Sequence, residues 1–503
     1  MTERIPRLCI CLLAGLFLIS PLGAQSRRGQ STFRSSIRSQ VRHSLLSSPD
    51  HLYEHDFAEM DEGLHHPFVS WSKIGNSLYE AFLPGAPRSN LLSYRHDPFA
   101  ADLQILAGYE ASLNDPGDYG FLYKGWRINA KYSDYLRLRT YWYNGAFYGD
   151  LDAAESDPLI DGYYKRFDKH IQLDNLSGEF GFYKDKYHLA LGRGRFQIGN
   201  SISGSIILND RVNDYAFLKA EAEIGIFRFS FMHASLMADS TYAIHDNPHI
   251  DSRHYPDKFI ALHQLSFFPW ENTEFFAGET VVYGNRSMDL NYLMPNSFWR
   301  SVEHDLWDRD NMLVYGGVNH RLPGDALLYA QIALDEFSYG KFFSSWWGNK
   351  YALQSGISFP LGASTLGFEA TAVRPYTYAH FTNHTMYSHD RRSLGYPHGS
   401  NVLDLSFEAN IPLMPYLILD SQISWRKRGS KGDSWQDNYH DIFGGQIDEA
   451  NAYWFDGEQS QEYQIQSSIL FPLMAHHDIL LTHDSLKTNG WDHRIVAAWQ
   501  FKF

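Results

Sequence analysis

The chain is expected to be all-β, a transmembrane antiparallel barrel of about 18 strands. Three observations predict it. Apolar residues recur at every second position from about residue 101 to the end, the period of a strand. The segments between those runs alternate short and long, as periplasmic turns and extracellular loops do in outer-membrane barrels. After residue 24 no apolar run approaches the length of a membrane-spanning helix.

The chain opens on an address. Arg4 and Arg7 precede an apolar run from Leu8 to Ile19, and Leu22-Gly23-Ala24 offers a small-residue cleavage site before Gln25. Residues 1–24 therefore read as a secretory signal peptide. Both cysteines, Cys9 and Cys11, lie inside it, so the mature chain is expected to hold no disulfide, thiolate nucleophile or cysteine metal site. Residues 25–95 break the strand period. Arg27 to Arg42 is rich in Ser, Gln and Arg and reads as flexible. Phe57, Met60 and Leu64 are spaced for one face of a short helix. This segment is expected to be a small periplasmic part, and residues 96–503 the barrel.

Within the barrel, Phe227, Phe229 and Phe231 alternate with Arg228, Ser230 and Met232, and Ile495, Ala497, Trp499, Phe501 and Phe503 share one face of the last strand. Short connections fall at Tyr132–Asp134, Lys184–Asp185, Ile224–Gly225, Pro269–Asn272 and Pro360–Ala363. Long ones fall at 150–169, 199–213, 239–257, 286–311, 339–349, 377–401 and 429–459. A soluble sandwich has no reason to alternate in this way. No repeat of 40–50 residues supports a propeller or solenoid. The terminal Phe503 closes the alternating pattern that barrel-assembly machinery reads. Outer-membrane lipid and that machinery are the expected partners of the wall.

Composition narrows the function. With 43 Lys+Arg against 58 Asp+Glu, the formal charge is -15, which excludes the basic face that nucleic acid requires. Aromatic residues make up 16% of the chain, enough for two interfacial girdles.

The unusual residues gather in three consecutive outer loops and the strand ends beside them, at what is expected to be the extracellular mouth. They are Arg286, Tyr292, Arg300, Glu303, His304, Gln331, Asp335, Trp346, Trp347, Asn349, Lys350, Arg374, Tyr376, Tyr378 and His380. Carbohydrates present flat C–H faces and a ring of hydroxyls. Trp and Tyr supply stacking surfaces, and amides, carboxylates, Arg and His supply directional hydrogen bonds. The bland alternative is that these side chains pack the loops into a lid, and both roles are expected of the cluster.

Catalytic readings are weaker. His304 beside Glu303 has the chemistry of an acid/base pair. Asp335 and Glu336 are adjacent on a strand and are expected to point to opposite faces, against a paired-carboxylate site. There is no HExxH and no GxSxG among the 24 histidines and the serines. A non-enzymatic protein without a resident cofactor is expected, although carboxylate-rich outer loops leave room for a bridging Ca²⁺.

Several stretches resemble the Wzi-type capsule-assembly outer-membrane proteins, in a divergent, Bacteroidota-like branch. They are Gly192–Gly199 with Leu208–Arg211, Gly278–Arg286, Asn291–Pro295, Phe298–His304 with Asp310-Asn311, Tyr329–Phe337, Trp346–Tyr351, and Arg374–His380 with His398–Asn401. The resemblance spans roughly residues 190–400 and keeps its order. It implies an 18-stranded barrel, a helical periplasmic N-terminal part, loops that close the mouth, and a surface lectin that holds capsular polysaccharide to the cell. It carries over no catalytic residue. A porin for small solutes is the competing expectation, and an outer-membrane hydrolase a weaker one.

Overall fold

The computed structural model describes residues 90–503, apart from 115–116, 161–163, 240, 243–252, 337, 339, 342–343, 415–416, 445–448, 475–476 and 489. The signal-peptide and N-terminal readings over 1–89 lie outside the described residues.

Eighteen strands form one closed antiparallel barrel. They are β1 Phe99–Asn114, β2 Tyr119–Tyr132, β3 Leu136–Gly149, β4 Ile171–Lys184, β5 Tyr187–Gly194, β6 Tyr215–Ile224, β7 Phe227–Met237, β8 Asp257–Trp270 and β9 Thr273–Gly284. They continue as β10 Asn311–Arg321, β11 Leu327–Glu336, β12 Lys350–Leu361, β13 Ser364–Val373, β14 Val402–Met414, β15 Leu417–Gly429, β16 Gln459–Met474, β17 His477–Lys487 and β18 Trp491–Lys502. Each pairs with its neighbours in sequence, and β1 pairs with β18 to close the ring. Closure leaves no sheet edge in contact with lipid, the condition that lets a sheet cross a membrane.

The expected 25–95 boundary shifts by a few residues. Leu92–His96 is a short leading strand that pairs antiparallel with the start of β1, Leu92 opposite Leu103 and His96 opposite Phe99. β1 extends beyond the end of β18, and the leading strand fills the lane that remains. Phe503 is buried there against Leu91 and Ile105. Its amide donates to the Ile105 carbonyl (3.0 Å), and the Ile105 amide donates back (2.6 Å).

Alternation assigns the two faces. Met232, Ala234, Ile260, Leu262, Val282, Leu313, Ala333, Ala352 and Val373 converge on one buried cluster inside the barrel. The alternate residues face outward, and away from loop 285–310 they include exposed apolar residues such as Leu122, Leu189, Leu191, Leu265, Phe368 and Leu405. Outward apolar and inward mixed residues are the pattern of a barrel solvated by lipid. The turns at one end are short. Gly225 (φ +61°) and Gly362 (φ +63°) hold the left-handed conformation with open space around them, so backbone torsion alone favours glycine there.

All the long loops leave the opposite end, and they go to three places. Loop 150–170 turns into the lumen. Its short helix α1, Leu151–Ala154, is capped by the Asp150 carboxylate and packs with Leu159 against Tyr119, Phe121, Tyr141 and Phe147. Loop 195–214 also turns inward. Phe196, Ile198, Ile206, Ile207 and Leu208 lie in the lumenal cluster beneath loop 374–401. Loop 285–310 does neither, and lies on the outside of the wall.

Candidate functional site

At the long-loop end a stack of loops is packed in the lumen. Glu369, inward on β13, holds the innermost loop. Its carboxylate accepts from the amides of Ile202 (2.8 Å) and Ser203 (2.9 Å) and from the hydroxyls of Ser203 and Tyr329 (2.6 Å). Multiple donors are what a buried carboxylate needs to offset its lost hydration. Above it, the Tyr378 hydroxyl donates to the Ile206 carbonyl (2.7 Å) and the Tyr387 hydroxyl to that of Ile207 (2.8 Å). Loop 374–401 is thereby clamped onto loop 195–214. Tyr396 donates to Asp404 (2.8 Å), which also pairs with Arg426 (2.6 Å).

The lumen and its lid hold ten of the predicted site residues, most of them in the outermost layer. Trp347 is buried against Tyr376, Tyr439 and Phe443, with ring centroids 6.2, 4.5 and 5.3 Å away. Helix α3, Tyr439–Phe443, supplies the last two rings and is capped by Asn438. Trp346 bridges in β fashion to Asn451, and the Trp347 amide donates to the Ala450 carbonyl (3.1 Å). Lys350 lies under this aromatic layer, 4.8 Å from the Tyr439 ring centroid. It contacts Glu336 (2.9 Å), Asp335 (3.6 Å) and the Ala379 carbonyl (3.2 Å). Asp335 in turn accepts from the Tyr378 amide (2.8 Å).

The expected divergence of Asp335 and Glu336 is corrected here. A register shift between Leu334 and Glu336 interrupts the alternation, so both carboxylates reach one ammonium. They form an ion-pair knot rather than an acid/base pair.

Arg374 donates to the Ala452 carbonyl (3.0 Å) and stacks near Tyr351 and Trp454. Asn349 donates to the carbonyls of Lys341 (2.6 Å) and Ser344 (3.1 Å) within its own loop. Gln331 and Gln354 face each other across the lumen wall, and Gln354 reaches the Gly204 carbonyl (2.8 Å). His380 bonds to Thr385. Burial, followed by the nearby Lys350, His384 and His440, keeps the His380 ring well below the usual histidine range and therefore neutral.

Most of these groups are thus consumed by the lid's own packing. The rim comes instead from the half-buried Trp346 and the exposed Lys341, Asn451, Tyr453, Gln436 and His440. Four of these six lie in loop 430–458, which the sequence reading passed over. The signal was present in its Trp435, Tyr439, Tyr453 and Trp454.

The other five predicted residues are not at the mouth. Arg286, Tyr292, Arg300, Glu303 and His304 belong to loop 285–310, which packs on outward-facing Phe231, Ala261, Val281, Tyr283 and Met312. Arg286 makes a two-pronged ion pair with Asp310 (2.7 Å for each contact), and the Tyr292 hydroxyl donates to the same carboxylate (2.7 Å). Helix α2, Trp299–Asp305, starts where the Trp299 amide donates to Glu279 (2.9 Å) on the outer face of β9. Glu303 is buried and pairs with Arg300, while His304 is exposed, so these neighbours on a helix diverge and form no acid/base couple. Among the described residues, no group of three or more His, Cys, Asp or Glu is placed to hold a metal ion.

No family model matches the chain, and no curated protein matches its sequence. Solved structures do match. The chain is similar to Wzi of Escherichia coli, described as an outer-membrane, carbohydrate-binding β-barrel involved in group 1 capsule assembly, with 11% identity and a TM-score of 0.51. The match covers 80% of this chain and 85% of that one. Similar too are OccK5 (10% identity, 81% and 99% covered, TM-score 0.46) and OprD (9%, 80% and 95%, 0.44) of Pseudomonas aeruginosa. Fold and neighbours define the class: a closed, 18-stranded outer-membrane β-barrel. At these identities the likeness is one of fold, and function has to be argued from the site.

Proposed function

We propose that the chain is a non-enzymatic outer-membrane protein that binds an exported capsular polysaccharide at its mouth and helps anchor it at the cell surface. In this reading the long loops face outward from the cell and the N-terminal part lies in the periplasm. The observation that carries it is the lid. Three loops are locked together by an aromatic and ion-pair core, and their outer rim exposes Tyr453, Asn451 and Gln436 beside the half-buried Trp346. A rigid rim pre-organises rings for stacking and amides for hydroxyls, so little ordering cost remains when a glycan binds. Lys341, whose ammonium stands 4.8 Å from the Trp346 ring centroid, puts a local cation on an acidic chain, which suits an anionic glycan. The buried predicted residues, Trp347, Lys350, Arg374, Tyr376 and Tyr378 among them, act as its scaffold.

The likeness to Wzi in fold agrees with this reading. A channel for solutes is the second reading, and the filling of the lumen by loops 150–170, 195–214 and 374–401 weighs against it.

Equilibrium binding of the purified, folded barrel to the source organism's own surface polysaccharide tests the proposal. Saturable binding is expected, competed by that glycan and not by an unrelated one. Trp346→Ala and Tyr453→Ala should each weaken it by about tenfold, on the order of 1.4 kcal/mol. Absence of binding across a range of salt and calcium, together with large conductance in planar bilayers, would transfer the assignment to a porin.

A further inference from the structure

Loop 285–310 is long and apolar, and it covers polar groups on the face of the barrel where polar groups are expensive. His263 and Glu279 face outward on β8 and β9 and meet at 3.1 Å. His233 and Tyr283, also outward, meet at 2.7 Å. His263 is the seventh residue of β8. With about 3.4 Å per residue and a tilt near 40°, it lies roughly 15 Å below the long-loop end of its strand, inside a hydrocarbon band about 25 Å tall.

The loop descends to that depth and seals the groups in. The Pro295 carbonyl reaches His263 Nδ1 (3.0 Å), the Trp299 ring lies on the imidazole, and the Asp289 amide donates to the Tyr283 hydroxyl (3.1 Å). Tyr292, Trp299, Leu293, Val302 and Leu306 pack on the wall, and the opposite side is mixed, with large apolar residues exposed beside Asn291, Asn296, Ser301, His304 and Asp305. Leu290 is 72% exposed, Phe298 64% and Trp307 91%, with Met288 and Met294 between. Water would make that face a liability. Met294 and Phe298 flank the Pro295 contact with His263, and Leu290 follows the Asp289 contact with Tyr283. Trp307 precedes the return to the start of β10 at the long-loop end, where indoles favour the interface. Asp308, next in the chain, pairs with Arg300 at 3.4 Å.

We propose that residues 285–310 form a membrane-embedded flap whose exposed face is seated among the acyl chains of the leaflet on the long-loop side. The flap extends the apolar band of the wall and shields the two polar pairs from lipid. The inference rests on the barrel's residence in a bilayer and not on glycan binding.

Single cysteines test it, in a chain with Cys9 and Cys11 changed to serine. Leu290→Cys and Phe298→Cys carry an environment-sensitive fluorophore in phosphatidylcholine vesicles. Leu191→Cys, outward on β5, is the lipid control, and Tyr453→Cys on the rim is the aqueous one. Heat-modifiable gel mobility verifies folding of each variant. Lipids brominated in mid-chain should quench positions 290 and 298 to within about twofold of position 191, and aqueous iodide should quench only 453. If 191 is quenched by lipid while 290 and 298 follow 453, the flap is aqueous and the inference fails alone. Protection of 298 from both quenchers would mean a protein partner covers it, which also overturns the inference. An unquenched position 191 would remove membrane residence and the inference with it.

Discussion

The imidazole of His263 and the indole of Trp299 are stacked, with centroids 4.0 Å apart and planes 16° from parallel. His263 belongs to the outer wall and Trp299 to the helix that covers it, so this contact joins loop to barrel. Trp299 is fully buried and also meets Phe231 and Tyr292 edge-on. Trp299→Ala should therefore cost about 3–5 kcal/mol of docking energy, the range for a large aromatic removed from a packed site. The barrel hydrogen bonds do not depend on it. Limited proteolysis in detergent micelles should show cleavage within 285–310 while the heat-modifiable band is retained.

The same loop should respond to pH in a defined direction. Burial raises the Glu303 carboxyl, and nearby Asp308 adds to this against the opposing pull of Arg300, so that it titrates at about 7 instead of in the ordinary carboxylate range. A raised acid binds its proton more tightly in the docked state than in the released one. Docking is then strengthened as pH falls from about 7 toward the ordinary value, and weakened as pH rises through 7. Amide exchange of residues 299–305, corrected for its intrinsic pH dependence, should be more protected at pH 5 than at pH 8. Glu303→Gln, which fixes the neutral form, should flatten that difference, and a persisting difference would assign it to another group.

Strand number and loop alternation were legible in the sequence because both follow from local periodicity. The destination of each loop was not, since a strand's alternation does not say which face is the lumen. Glu279, Val281 and Tyr283 could equally have been the inward set, and Arg286 to His304 were placed at the mouth because they lie in a long outer loop. The missed signal was chemical: Met288, Leu290, Leu293, Met294, Phe298 and Trp307 are too apolar for an exposed loop and too many for a lid. Bulges are similarly invisible to a period-two reading, which is why Asp335 and Glu336 were expected to diverge. Trp346 and Trp347 of loop 339–349 were singled out for the mouth, but the residues of loop 430–458 that they pack against are about a hundred residues distant and were not anticipated.

Lys350 should be the residue on which the lid is least tolerant. It is buried and paired with two carboxylates, one of them, Asp335, also buried. Lys350→Ala leaves Asp335 without its cation, and breaking a buried pair in this way costs about 3–5 kcal/mol. Lys350→Met combined with Asp335→Asn removes both charges and keeps an acceptor for the Tyr378 amide. The double variant should recover much of the loss. Exposure of the lid to protease, compared across Lys350→Met, Asp335→Asn and the double variant, measures the coupling. Additive effects would mean that the pair does not act as a unit.

Glu369 should govern whether the lumen stays filled. Its carboxylate accepts from two main-chain amides of loop 195–214, those of Ile202 and Ser203. Glu369→Ala removes those acceptors and leaves the amides of Ile202 and Ser203 buried without partners, at about 1–3 kcal/mol each. The apolar grip on Ile206, Ile207 and Leu208 and the hydroxyls of Tyr378 and Tyr387 remain, so the loop should loosen rather than leave. In planar bilayers the unaltered barrel is expected to be silent and the variant to flicker between closed and conducting levels. Adding Tyr378→Phe and Tyr387→Phe, which removes the two hydroxyl clamps from above, should lengthen the open times. Steady conductance in the unaltered barrel would show that the loop does not seal the lumen, and the capsule-binding reading would then have to share the molecule with a channel.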